Sequence, residues 1–237
     1  MLIALLVVAY LYSSVGHGGA SGYLALMALF GIEMAYMKPS ALILNLFVSS
    51  IAFIAYYRGG HFKPKILLPF VLTSVPMAYI GAALEISPEL YKKILGVCLL
   101  IATLRIAIQP GKLDRVNRKL PIWIALMTGA VIGFFSGMIG IGGGIILSPL
   151  LLLTRWASMK ETAAISAAFI FLNSLSGLTG HIIGGMEVSH HIFLWVGVAV
   201  AGGFAGSYLG SFKFSVNVLK YAIATVLIIA SIKLYII

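Results

Sequence analysis

The chain has 237 residues, of which 61% are hydrophobic and 9% charged, with a mean hydropathy of +1.10. Soluble domains carry about 25% charged residues, so the composition excludes an ordinary globular protein and points to a polytopic membrane protein in a lipid bilayer. Sixteen Lys and Arg against six Asp and Glu leave a charge of +10, but the basic residues lie between apolar runs, where they act as topology signals rather than as a nucleic-acid surface.

Apolar runs bounded by charge, Gly or Pro predict helices near 1–14, 20–30, 40–57, 66–84 and 90–108, then 122–139, 145–154, 162–180, 192–210 and 217–236. Several reach the roughly 20 residues that a span needs. Too many follow the first for it to be a cleaved signal peptide. Cys98, the single cysteine, sits in an apolar run, cannot form an internal disulfide and leaves the redox compartment unread. The expected organisation is a first transmembrane repeat over 1–110, a basic linker over 111–120 with Lys112, Asp114, Arg115, Arg118 and Lys119, and a second repeat over 121–237.

A glycine-rich break occurs in each half: Gly16-His17-Gly18-Gly19-Ala20-Ser21-Gly22, and Gly140-Ile141-Gly142-Gly143-Gly144, 124 residues later. Each interior glycine costs a helix about 0.8–1.0 kcal/mol against alanine, and freed backbone groups at membrane depth need protein or a water-filled cavity to receive them. Arg58-Gly59-Gly60-His61 aligns with Ile183-Gly184-Gly185-Met186, and Gly81-Ala82-Ala83-Leu84 with Gly206-Ser207-Tyr208-Leu209, at offsets of 124 or 125. Self-similarity at half the chain length is the pattern of transporters built from two repeats with the substrate between them.

Residues 121–154 as one helix would be roughly 51 Å long, too long for a plain span of the ~30 Å core. If each broken segment crosses once, the halves are parallel with four spans each, and the basic residues divide nine to seven. If each is a re-entrant hairpin with the glycines at its tip, each half has three true spans and the halves are inverted. The division is then twelve to four, a positive-inside bias that favours an all-α inverted repeat of about eight membrane segments, with both termini outside and the linker cytoplasmic.

A helix that starts after an unwound glycine run presents free N–H groups and the positive end of its dipole. Two such starts, at Ala20 and Ile145, would make facing anion sites near the midplane, with Pro149 fitting the first turn of the second. Candidate backbone contacts are Gly16, Gly18, Gly19, Gly140, Gly142, Gly143 and Gly144. Asn45, Ser49 and Ser50 lie roughly on one face of a helix, and Ser166, Asn173, Ser174 and Ser176 on its counterpart; all are neutral donors. Thr73, Ser74 and Thr179 are weaker candidates. Gly81, Gly96, Gly129 and Gly206 read as close helix packing.

No acidic residue falls in mid-span, which disfavours a proton relay of carboxylates, a metal site or a cation substrate. No cofactor is implied. His17, the ionisable group inside a break, either accepts a proton as an anion approaches or ties down loop backbone. Gly19-Ala20-Ser21-Gly22 also matches the G-x-S-G of intramembrane serine proteases, with His181 as conceivable base, though the second break lacks the serine. A channel or cation carrier is a further alternative. A homo-oligomer is compatible with the sequence.

Gly133-Phe134-Phe135-Ser136-Gly137-Met138-Ile139-Gly140-Ile141-Gly142-Gly143-Gly144-Ile145-Ile146-Leu147-Ser148-Pro149-Leu150, followed by Ala163-Ala164-Ile165-Ser166-Ala167, resembles the sulfite exporter TauE/SafE family of anion permeases, and Gly16 to Tyr23 resembles its first-repeat version. The resemblance covers essentially the whole chain. It implies a plasma-membrane permease, not an enzyme, that moves sulfite, sulfonates or related sulfur-containing anions. Two departures stand out. The first break carries His17 and Ser21, with Ala25 where the second has Pro149, and the family's usual Thr-Ser pair is Ser166-Ala167 here.

Overall fold

The computed structural model describes residues 1–84, 87, 89, 90, 93, 94, 96, 97, 120–185 and 188–212. Among them the chain is helical without strands: α1 Leu2–Ser13, α2 Ala20–Leu29, α3 Met34–Arg58, α4 Pro64–Ala82, α5 Ile122–Ile139, α6 Gly144–Leu153, α7 Met159–Ile183 and α8 Ile192–Phe212. Five of these, α3, α4, α5, α7 and α8, are long and apolar enough to cross a membrane. Large side chains such as Ile3, Leu72, Trp123 and Phe193 face outward, as a lipid-facing surface requires. The expected helix at 217–236, most of that at 90–108 and most of the basic linker lie outside the described residues.

Several boundaries differ from the sequence reading for local reasons. Helix α3 starts at Met34 rather than 40, because Pro39 lies inside it without ending it; the ring costs only the N–H that Ala35 would have received. Helix α7 starts at Met159 rather than 162, because Ser158 and Glu161 form a capping box. Helix α4 begins at Pro64, where proline suits the first turn. Pro149 is the sixth residue of α6, so it lies beyond the first turn and supplies no N–H to the Ile145 carbonyl.

The capping box permits a direct check. Ser158→Ala should lower stability by about 0.5–2 kcal/mol, seen as a fall in melting temperature in detergent. Lys63→Ala should matter less, because Lys63 meets Glu161 at 3.5 Å with half its side chain in the open, and such pairs are worth about 0–1 kcal/mol.

Helices α2 and α6 are related by an offset of 124 at both ends, and α3 and α7 by 125 at both ends. Left-handed backbone recurs in the same register: Gly16 with Gly140, Gly19 with Gly143, Gly31 with Arg155 and Gly60 with Gly185. The packing is reciprocal too. Helix α4 lies on α5 and α8 on α1, while α4 also packs on α7 and α8 on α3. The first helix of each half therefore packs against the fourth of the other.

Contacts fix the directions. Gly129, Gly133 and Gly137 of α5 sit against Phe70, Ser74 and Ala78 of α4, so these helices run parallel. Gly202 and Gly206 of α8 sit against Leu6 and Tyr10 of α1 in the same sense. Gly81, Gly129 and Gly206 are therefore close-packing glycines. Helices α3 and α7 run antiparallel, since Leu42 meets Gly177, Asn45 meets Ser174, and Tyr56 clusters with Ala163 and Ala164.

Candidate functional site

Both glycine breaks turn the chain back on itself. In the first, Tyr12 bonds Ser21 across the turn at 2.9 Å, and Gly22 lies against Val8. In the second, Gly140 closes α5 in the left-handed conformation, donating its N–H to the Ser136 carbonyl at 2.9 Å; Gly143 then lies against Ile132 and Ser136 of the helix just left. Gly19 and Gly143, with φ of 98° and 74°, are the N-caps of α2 and α6. A side chain there would be strained, and glycine has none to cap its own helix. The leading N–H groups of both helices are thus left for outside acceptors.

The two breaks meet at one place. Gly18 lies against Asn45 and Ile170, Gly142 against Asn45, Ser174 and Ile170, and Gly144 against Ile170. Asn45 and Ile170 are themselves related by the 125 offset, each 11 residues into a 25-residue helix. At 1.5 Å per residue that is roughly 16 Å along a helix of about 37 Å, near its middle.

Asn45 is fully buried and uses both ends of its carboxamide. Ala20 N–H donates to Oδ1 at 3.0 Å, while Nδ2 donates to the Ile141 carbonyl and to Ser174 Oγ, each at 3.3 Å. One side chain of α3 thereby joins the start of α2, the second break and α7. His17 makes a second link. Its Nδ1 meets the Val15 carbonyl at 3.1 Å, its Nε2 meets Ser148 Oγ at 3.0 Å, and Ser148 meets Ser166 Oγ at 2.7 Å. In the neutral ring Nδ1–H donates to the carbonyl, so Nε2 accepts from Ser148 and Ser148 accepts from Ser166.

Other expected residues fall in different places. Asn173 is buried and donates to Ser74 Oγ at 3.0 Å and to Phe169 O at 2.9 Å, leaving Oδ1 without a partner among the described residues. Ser49, 124 residues earlier, is also buried, and its hydroxyl too has no partner among the described residues. Ser50 bonds the Phe47 carbonyl of its own helix at 2.8 Å and does not join the cluster. Gly16 is pressed against Ala163, and Gly140 against Lys38, one turn into α7 and α3. Ser21 is partnered by the Tyr12 phenol, and among the described residues no histidine bonds it.

Three members were not anticipated. Ser148 connects His17 to Ser166. Tyr23 places its hydroxyl beside Gly19, Ser136 places its side chain beside Gly143, and both hydroxyls are buried without a partner among the described residues. Buried unpaired groups are uncommon and call for an explanation. Here each adjoins a glycine that starts a helix, so donors collect at both N-termini without a net charge. Such a set suits an oxyanion, whose oxygens accept several hydrogen bonds at once. Among the described residues no group of His, Cys, Asp or Glu could hold a metal ion.

The family model described as sulfite exporter TauE/SafE matches residues 1–234. The probable membrane transporter protein y4hK of Sinorhizobium fredii is 32% identical over 99% of this chain and 96% of its own length. A probable membrane transporter protein of Methanocaldococcus jannaschii is 26% identical over 65% of this chain and 59% of its own. The probable membrane transporter protein YunE of Bacillus subtilis is 36% identical over 34% of this chain and 28% of its own. No solved structure matches the chain.

Proposed function

The chain belongs to the sulfite exporter TauE/SafE family of membrane transporters, and we propose that it is a permease for small sulfur-containing oxyanions, sulfite or organosulfonates, bound between the two glycine breaks. The observation that carries this reading is the convergence of both helix starts on Asn45 and Ile170, with a buried side chain, Tyr23 or Ser136, beside each capping glycine whose hydroxyl has no partner among the described residues. Gly18, Gly19, Gly142, Gly143 and Gly144 supply the backbone wall, Ser49, Ser166 and Asn173 are the side-chain donors closest to this role, and Asn45 stands where the two breaks meet. His17 holds the first break to α6 and α7 through Ser148.

The arrangement also supports the inverted-repeat reading. The 125-residue mates α3 and α7 run antiparallel, and a two-fold relation between antiparallel spanning helices has its axis in the membrane plane. Each broken segment folds back on itself, as a re-entrant hairpin does, and with that topology the twelve-to-four division of Lys and Arg supports a cytoplasmic linker. Alternating access follows as rocking of one repeat against the other, with the cell membrane as its setting.

Counterflow in proteoliposomes tests the proposal across sulfite, sulfate, thiosulfate, taurine and sulfoacetate. The expected result is exchange of at least one sulfur oxyanion by the parent, and none by Gly143→Leu, whose side chain would run into Ile132 and Phe169. Transport of a cation with no movement of any anion would sink the proposal.

A further inference from the structure

We infer that Asn45 keeps the substrate's place filled between transport events: its carboxamide oxygen occupies a position that an oxyanion oxygen takes, and the arriving anion displaces it. This rests on the transport reading above. Ala20 N–H is the first peptide donor of α2, the group that an anion at this helix start would engage, and it donates to Asn45 Oδ1 at 3.0 Å. The orientation of the amide follows from its neighbours. Ala20 N–H can only donate and the Ile141 carbonyl can only accept, so the oxygen faces α2 and the nitrogen faces the second break.

Oδ1 is therefore a tethered, uncharged acceptor seated on the positive end of a helix. A substrate oxygen is also an acceptor and competes for the same hydrogen. When it takes Ala20 N–H, Oδ1 must leave, and the bonds of Nδ2 to Ile141 and Ser174 shift with it. Those bonds join α3 to the second break and to α7, so occupancy of the seat loosens a link between the two halves. The mate of Asn45 is Ile170, which offers no acceptor. Among the described residues no side chain takes such a place at the start of α6, where Ser136, its hydroxyl without a partner among them, lies beside Gly143 instead. The half-sites thus differ in kind: one is held by a resident acceptor that the substrate must replace, the other by none.

The detergent-purified parent, Asn45→Ala and Asn45→Asp are compared by melting temperature and by stabilisation on titration with sulfite and with methanesulfonate. A displaced surrogate predicts that Asn45→Ala binds at least threefold more tightly, because no resident acceptor competes. It also predicts that Asn45→Asp, whose carboxylate keeps the seat on Ala20 N–H, loses at least tenfold in anion affinity, while its melting temperature falls because the donor to Ile141 and Ser174 is lost. A side chain that only donates to the ligand gives weaker binding by Asn45→Ala, and one that only holds the fold gives weaker or unchanged binding. Either result overturns the inference. Asn45→Ser, too short to reach from Ala20 to Ile141, replaces Asn45→Ala if the latter does not fold. A parent stabilised by neither of these anions, nor by sulfate, thiosulfate, taurine or sulfoacetate, defeats the transport reading and the inference with it. A parent that binds while Asn45→Ala binds less tightly defeats the inference alone.

Discussion

Replacing Gly137 by alanine is expected to lower stability by at least about 3 kcal/mol, the upper end of what overpacking costs, while the same change at Gly197 raises it by about 1 kcal/mol. Both glycines lie inside long helices, α5 and α8, where alanine is intrinsically better by about 0.8–1.0 kcal/mol. The environments decide the sign. A Cβ at Gly137 would collide with the backbone carbonyl of Ala78, and α4 could escape only by moving away from α5. Gly129 and Gly133 hold the same seam against Phe70 and Ser74, so a local shift would unseat them as well. A Cβ at Gly197 meets nothing within 4 Å. Gly177, whose nearest neighbours would lie at 3.5–3.8 Å, should tolerate alanine with little change. Melting in detergent checks all three. Equal melting temperatures for Gly137→Ala and Gly197→Ala would mean that the α4–α5 seam is not a close backbone contact.

The α4–α5 seam explains why the glycines divide into two kinds that composition alone does not separate. Gly81 and Gly206 recur at an offset of 125 as the breaks recur at 124, yet they serve helix contact: Gly81 receives the Phe134 carbonyl and Gly206 the Tyr10 carbonyl, again 124 residues apart. The helix starts were legible because glycine runs interrupt apolar sequence, and α2 begins at Ala20 as expected while α6 begins one residue early, at Gly144. Asn45 was legible as an amide in an apolar run. Its three partners were not, since they come from α2, the second break and α7, which only the tertiary fold assembles. Ser136 was hidden for the same reason. It precedes its break by four residues and comes beside Gly143 only because the chain doubles back. Ser49 and Ser50 show where periodicity alone grouped too much: at i+4 from Asn45 a residue is rotated by roughly 40°, at i+5 by roughly 140°. Ser49 is buried accordingly, whereas Ser50 turns to its own backbone.

The seam variants lose stability; the break variants should lose transport. Gly142→Ala is expected to reduce counterflow, per folded molecule, by a hundredfold or more, whereas Gly60→Ala leaves it within a factor of about two. The two residues have nearly the same left-handed backbone, φ 71° and 76°, so the conformational cost of alanine, roughly 1–2 kcal/mol, is common to both. At Gly60 the new methyl meets nothing within 4 Å. At Gly142 it would lie 2.6 Å from Asn45 Nδ2, 2.9 Å from Ser174 Oγ and 3.0 Å from Ile170 Cγ2, so the atoms that join the two breaks must move. Gly18→Ala attacks the same carboxamide from the other side, through Oδ1, and should fail alike. Because Gly60→Ala carries the strain without the crowding, the ratio of the two transport rates isolates the contribution of the meeting point. Normal counterflow by both Gly142→Ala and Gly18→Ala would place the substrate path somewhere other than between the breaks.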